Sequence, residues 1–294
     1  MPSEIIKTQT SDSKFQISNE SLAEKGFYWR EKAGVKVLIC RPLETAGFAN
    51  GFSTRLGGVS MFPHDDLNLA GFGDDTAENI DENRRRFLNV FEGEWQQLAS
   101  CHQVHGSDVR IVENLADASN GNFKMDALVS GAAGVLLGVK TADCVPVLLG
   151  DTKTKAFAAI HAGWRGTVDS IVPKTIVKMR EKFGTQPHNL IAAIGPAASG
   201  RNYEVGADVI ELFREKFFQN YQHYFTPTRE NHALVDLHQA NLEQLVAIGV
   251  APENIFTAPF CTMERTDLFF SYRIEKKLQG KTGRLMSVIG KKSE

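Results

Sequence analysis

The chain has 294 residues, 42% of them hydrophobic and 23% charged, which is ordinary for a globular protein and excludes a disordered, collagenous or coiled-coil architecture as its main form. Its 33 Lys and Arg against 35 Asp and Glu give a net charge of −2, so no global basic field draws it to nucleic acid or to an anionic membrane. No apolar run approaches the roughly 18 residues of a membrane span, and the polar start MPSEIIKTQTSDSK lacks the apolar stretch of a signal peptide. A cytoplasmic protein is expected, with its four separated cysteines (Cys40, Cys101, Cys144 and Cys261) as thiols.

Residues 1–20 are rich in Ser, Thr, Lys and Glu and read as a flexible extension before one continuous domain over 21–294. Short apolar runs then predict strands at 35–40, 108–112, 127–130, 134–139, 145–149, 156–160 and 190–195. Most are apolar on both faces, as buried strands are. Val172, Ile176, Met179 and Phe183 follow helical spacing, with Thr167 or Ser170 as cap, Pro173 in the first turn and Gly184 as stop. A second helix is expected after Asp236, with Gln239 completing a capping box and an end near Gly249. The tail 269–290 reads as two strands around a charged loop, where Tyr272, Arg273 and Arg284 could line a polar pocket. Strands and helices do not alternate cleanly, so the fold class is α+β, with mixed β-sheets flanked by helices.

Neither glycine-rich nucleotide loop occurs, nor a GxSxG elbow or an HExxH pair. Three other segments each place a His or Cys at the edge of an apolar strand: CHQVHGSDV (101–109), KTADCVPVLL (140–149) and IHAGWRGTV (160–168). His105, Cys144 and His161 together would form a Cys-His-His set, which leaves a fourth position open on a catalytic zinc. Their separations of 39 and 17 residues match no zinc-finger spacing, so on spacing alone the metal signal is weak and a buried thiol with two hydrogen-bonded histidines is the plainer explanation. The same residues also suit a metal-free pair, with Cys144 as nucleophile and His161 as base. Arg55 in GFSTRLGGVS and Arg165 in HAGWRG are candidate anion forks, against a surface arginine on a hairpin turn for the former. Trp164 fits a core plug better than a ring-stacking role. His64, His102, His188, His223, His232 and His238 show no ligand spacing, although His102 could support His105.

The motifs FSTRLGGVS, LNLAGFGDD (67–75), ENRRRF (82–87), CHQVHGSDV, TADCVPVLL, HAGWRG, IGPAASGRNYEVG (194–206) and DLFFSYR…TGR occur in one order over about residues 35–290. In this the chain resembles the YfiH, or laccase-domain, family, also called multicopper polyphenol oxidase-like. The resemblance implies a zinc held by His105, Cys144 and His161. It implies phosphorolysis of adenosine, inosine, guanosine or methylthioadenosine, with adenosine deaminase activity, so purine nucleosides and phosphate are the expected partners. Many members carry Cys-Tyr-Glu where this chain has Asn202, Tyr203 and Glu204, so any role of that thiol is absent here. A coupled copper cluster needs more histidines than these eight, which include no His-X-His pair; copper and polyphenol oxidation therefore stand as alternatives to zinc, beside the metal-independent Cys–His hydrolase or amidase.

Overall fold

The computed structural model describes residues 17–61, 66–71, 75–91 and 97–291. Among these residues two six-stranded mixed sheets form. The first has the order β1 (Phe27–Lys32), β2 (Val35–Cys40), β3 (Phe48–Ser53), β15 (Leu285–Lys291), β7 (Val135–Thr141), β4 (Gln97–Ala99). The β7–β4 pair is parallel and the other pairs are antiparallel. The second has the order β14 (Ile255–Thr257), β10 (Leu190–Ile194), β8 (Val145–Asp151), β9 (Phe157–Ala162), β6 (Ala127–Ser130), β5 (Val109–Val112). Its two outer pairs are parallel and its inner pairs antiparallel. A small antiparallel sheet joins β11 (Glu204–Gly206), β13 (His232–Val235) and β12 (Phe225–Arg229). The helices are α1 (Asn19–Glu24), α2 (Arg41–Thr45), α3 (Ala77–Leu88), α4 (Leu115–Ala118), α5 (Trp164–Val168), α6 (Ile171–Phe183), α7 (Ala207–Phe217), α8 (Leu237–Ala247) and α9 (Tyr272–Gln279).

The doubly apolar strands follow from the layering. Successive side chains of a strand point to opposite faces, and both faces of each large sheet are covered. In β2, Leu38 and Cys40 face a core that also holds Leu148 of β8 and Phe157 and Ala159 of β9, so the two sheets pack face to face. Val35, Val37 and Ile39 face the other way, onto Phe87 of α3 and the neighbouring Val90 and Phe91. In β8 and β9, Val145, Val147, Leu149, Ala158 and Ile160 turn outward onto α6, α7 and α8. The result is four layers: helix, sheet, sheet, helices. Each large aliphatic or aromatic side chain fully withdrawn from water contributes about 1.5–3 kcal/mol, and Phe27, Phe48, Phe52, Phe157, Phe269 and Phe270 all lie in the central layer.

The seven strands expected from short apolar runs all form, within a residue or two of their predicted ends. Helix α6 ends as expected, with Gly184 at φ +74. Its start differs: Ser170 sits at φ +61 with no side-chain cap bond, and Thr167 lies inside α5, where its hydroxyl accepts from Asn241. Helix α8 is capped by the Asp236 carboxylate, which accepts from the Gln239 N–H, but the Gln239 side chain turns to Glu243, so the capping box is half made. The tail corrects the expectation of two strands. Residues 272–279 form α9, capped by the Ser271 hydroxyl and stopped by Gly280 at φ +74, and only the second half forms a strand. The run Arg-Ile-Glu-Lys-Lys-Leu-Gln consists largely of strong helix formers, and that outweighs the charged-loop reading. Of the expected extension, residues 1–16 lie outside the described residues, while Asn19 and Glu20 already belong to α1. His64 also lies outside them. No helix among the described residues is long and apolar enough to cross a membrane.

Candidate active site

Two chain crossings between the large sheets build the site. Residues 100–108 lead from β4 in the first sheet to β5 in the second, and residues 142–144 lead from β7 to β8. His105 rides on the former crossing and Cys144 on the latter; His161 stands near the end of β9, paired with Pro146 of β8. The donor atoms of His105, Cys144 and His161 all lie within 4.8 Å of one another. The sequence reading thus brings together the three residues it selected. Two residues of these crossings adopt left-handed backbone, His105 at φ +60 and Asp143 at φ +85. Non-glycine residues take that conformation rarely and at a cost, so the surrounding contacts must hold them there.

Asp126, just before β6, supplies those contacts for His105. Its Oδ2 accepts from the N–H groups of Val104 at 3.1 Å and Gly106 at 2.8 Å, and its Oδ1 from the N–H of His105 at 2.9 Å. The same Oδ1 accepts from His161 Nδ1 at 2.7 Å. One buried carboxylate therefore fixes the His105 loop and also pins His161 through its Nδ1–H, so that Nε2 is the nitrogen left to give its lone pair to a metal once its proton is displaced. Burial alone would raise the Asp126 carboxyl, but the His161 ring and the Gly106 and Val104 amides hold it below the usual range. Asp126 was missed in the sequence; its signal there is a lone carboxylate abutting the apolar strand ALVS. Asp143 does the matching work for Cys144. Its carboxylate accepts from Thr262 Oγ1, Ser271 Oγ and the Arg273 N–H, tying the turn to the start of α9, and burial raises its carboxyl in spite of these donors.

Burial opposes ionisation of the Cys144 thiol, yet the His161 and His105 rings outweigh it and bring the thiol down to about 6. Burial likewise opposes a charged His161, but Cys144 and Asp126 carry the ring up to about 9. The pair is poised as thiolate and imidazolium, and a cation that takes the imidazolium's place meets a ready thiolate. The donor set fits a soft or borderline metal ion. Gly163 completes the cradle: a Cβ there would stand 3.2 Å from both Cys144 Sγ and His105 Cδ2. Among the described residues this is the one cluster of three or more such side chains that could hold a metal.

The triad opens into a cavity of about 740 Å³. Its cationic lining consists of Arg84, Lys140, Arg165, Arg273 and Arg284, and the carboxylate among its lining residues is the buried, fully engaged Asp143. Aromatic faces steady three of the guanidinium groups: Arg165 lies over Trp164 at 4.1 Å, Arg273 over Tyr203 at 4.9 Å and Arg284 over Tyr272 at 5.6 Å from the ring centres. Trp164 is half-buried: it packs against the outer core as expected and also forms part of the cavity wall. Arg165, Tyr272, Arg273 and Arg284 stand where the sequence suggested. Arg55 does not: it is outside the cavity wall, 5% exposed, and held by Asp66 at 2.7 Å and Glu275 at 2.7 Å. Asp66 lies 11 residues on and Glu275 220, both beyond the motif itself, which is why the motif read as an anion fork. Arg84, Gln103, Lys140 and Tyr203 were not singled out as lining; all four sit inside quoted motifs, but nothing in the sequence turns them toward one cavity. His102 lines the cavity and is exposed.

The family model described as multi-copper polyphenol oxidoreductase laccase matches residues 49–292. The chain is 35% identical over 243 residues to a purine nucleoside phosphorylase of Bacteroides thetaiotaomicron, covering 81% of this chain and 89% of that one. It is 34% identical over 261 residues to the purine nucleoside phosphorylase YfiH of Escherichia coli K12, covering 86% and 98%. Among solved structures, the hypothetical protein YfiH of Bacillus licheniformis matches with a TM-score of 0.82 at 27% identity, covering 90% of this chain and 99% of that one. YlmD of Geobacillus stearothermophilus gives 0.81 at 29% identity with the same coverage. By the family match over most of its length and by relatives more than 30% identical, the chain belongs to the YfiH, or laccase-domain, family.

Proposed function

We propose that the chain is a zinc-dependent purine nucleoside phosphorylase with adenosine deaminase activity, acting on soluble nucleosides in the cytoplasm. The observation that carries this reading is the placement of a His-Cys-His metal cradle at the wall of a cavity whose charged lining is almost wholly cationic. Phosphorolysis needs a site for an oxyanion beside the scissile glycosidic bond. Arg165 and Arg273 supply forks for it, each already oriented by an aromatic ring, so little side-chain freedom is lost on binding. The Trp164 and Tyr203 rings give the same wall apolar surface for a purine. Asp126 holds His161 in one tautomer and His105 in its left-handed loop. When bound, zinc supplies Lewis acidity that acidifies water and polarises an attacked or departing atom. For deamination, water takes the place of phosphate in the same cavity.

Product analysis tests the reading. Folded protein of measured zinc content, incubated with inosine, should release hypoxanthine only when phosphate is present, and adenosine without phosphate should give inosine. His105→Ala should abolish both. Absence of any product from zinc-loaded protein refutes the proposal.

One observation favours a second reading. Cys144 brought down to about 6, His161 raised to about 9 and Asp126 on the far nitrogen of His161 also form the nucleophile, base and orienting acid of a metal-free hydrolase or amidase. That enzyme would be stopped by thiol alkylation and indifferent to chelators; the zinc enzyme would lose activity to a chelator and regain it with zinc.

A further inference from the structure

Helix α5 has five residues, too few for a helix to persist on its own in water. Its place is set by what touches it. At its N-terminal end, a Cβ on Gly163 would stand 3.2 Å from Cys144 Sγ and His105 Cδ2 and 3.8 Å from His161 Cε1. Three residues on, Gly166 lies so close to the His105 loop that a Cβ there would meet the Gly106 carbonyl oxygen at 2.9 Å. From the other side, two amides of α8 reach across to Thr167. Asn241 Nδ2 donates to Thr167 Oγ1 at 3.0 Å. Gln244 Nε2 donates at 2.7 Å to the Thr167 carbonyl, which also accepts from the Ser170 N–H at 3.0 Å. Asn241 is anchored in turn on its own helix, by donating to the Leu237 carbonyl at 2.8 Å. Thr167, Asn241 and Gln244 are all buried. The Asn241 Oδ1 and Gln244 Oε1 atoms are buried too, and they accept from no group among the described residues.

We infer that Asn241 and Gln244 are positioning residues: from α8 they clamp α5, and through it they aim Arg165 into the cavity and seat Gly163 against the metal cradle. The setting of the clamp is apolar, since Val168 of α5 and Leu237, Ala240 and Leu245 of α8 belong to one buried cluster. Apolar side chains of the same outline would fill that contact without leaving two acceptor oxygens unsatisfied, so the amides serve placement more than stability. Arg165 goes where the clamp sets it. Its guanidinium lies over the Trp164 ring at 4.1 Å, and Trp164 rides on the same short helix, so fork and ring move as one. Gly163 and Gly166 transmit the same placement to the ligands, because both lie against the His105 segment without a side chain between. Misplacing a reacting or binding group by about 1 Å costs up to about a hundredfold in rate. The part of the inference that concerns phosphate rests on the phosphorylase reading above; the part that concerns the cradle does not.

The test uses the full chain with Asn241→Leu and Gln244→Met, which keep the side-chain outline and remove the donors, singly and together, with urea melts to confirm folding. With inosine and saturating zinc, the double variant should raise the KM for phosphate about tenfold while kcat falls less than threefold. In an Arg165→Met background the same pair should raise it less than twofold further, because the fork that α5 aims is already gone, whereas a general structural defect would multiply the two losses. Zinc affinity, read by chelator competition without turnover, should fall about fivefold. Gln244→Met alone should show the same pattern at threefold or more, and it carries the test if the double variant does not fold. A change below threefold in either phosphate KM or zinc affinity in a folded variant overturns the clamp, as does a multiplied loss in the Arg165→Met background. If the zinc-loaded wild type turns over no nucleoside, the phosphorylase reading falls, and zinc affinity alone decides the clamp.

Discussion

Replacing Asp126 by Asn is the sharpest test of how the site is held. The substitution keeps the shape but gives one carboxylate oxygen's place to an NH₂ donor. If that donor takes the Oδ1 position, it confronts the His105 N–H and the His161 Nδ1–H, now 2.9 and 2.7 Å away. His161 must then protonate Nε2 instead, and it loses the lone pair that faces the triad. If the donor takes the Oδ2 position, it confronts the N–H groups of Val104 and Gly106 at 3.1 and 2.8 Å, and the left-handed loop of His105 loses its anchor. Either way two hydrogen bonds fail, one at least to a group that had a charged partner. At about 1.5 kcal/mol for each such bond, the loss is about 3 kcal/mol of stability. Partners of metal-ligating histidines are worth about 10–100-fold in metal affinity. The assays are a urea melt and competition for zinc against a chromophoric chelator. Zinc affinity within twofold of wild type in a folded Asp126→Asn protein would refute the claim that Asp126 organises the ligands.

Three further outcomes follow from the geometry. Arg55→Met should cost about 3–5 kcal/mol in a denaturant melt, because it strands the buried Asp66 and Glu275, whereas Arg165→Met, at an exposed position, should leave the melt nearly unchanged and raise the KM for phosphate. Gly163→Ala should weaken zinc about tenfold with little loss of fold, since Gly163 has an ordinary φ of −67 and the penalty comes from the Cβ pressing on Cys144 and His105; unchanged affinity would show that the cradle has slack. In metal-free protein, alkylation of Cys144 by iodoacetamide should persist down to about pH 6 and fall away below it, because a thiol brought down to about 6 is ionised above that pH; a midpoint near 9, the ordinary thiol value, would refute the paired state with His161.

How much of this was legible before folding depended on range. The strands were readable because each is apolar on both faces, and both faces of each large sheet are in fact covered. Helix α6 was readable from its own spacing and its glycine stop. The metal triad was readable because each donor sits at the edge of an apolar strand. The tail misled because α9 is short and charged, so its periodicity is hard to see, while Ser271 and Gly280 mark its ends only once a helix is assumed. Arg55 misled because a buried ion pair is a fact about two chain segments, and Glu275 lies 220 residues away. Asp126 and Lys140 were silent for the same reason: one works through amides about twenty residues upstream, the other through a carbonyl 39 residues away.

The four-layer fold has a consequence for how such a protein can diverge. The metal donors ride on the crossings between the two sheets and at a strand end, where any shift disturbs the central core. Other cations of the cavity come from other pieces of chain: Arg84 from α3, Lys140 from the end of β7 and Arg284 from the approach to β15. Reactivity and selectivity are thus inherited on separate parts of the molecule. Mutation can redraw the charge and outline of the pocket, one cation at a time, while the His-Cys-His centre stays in register.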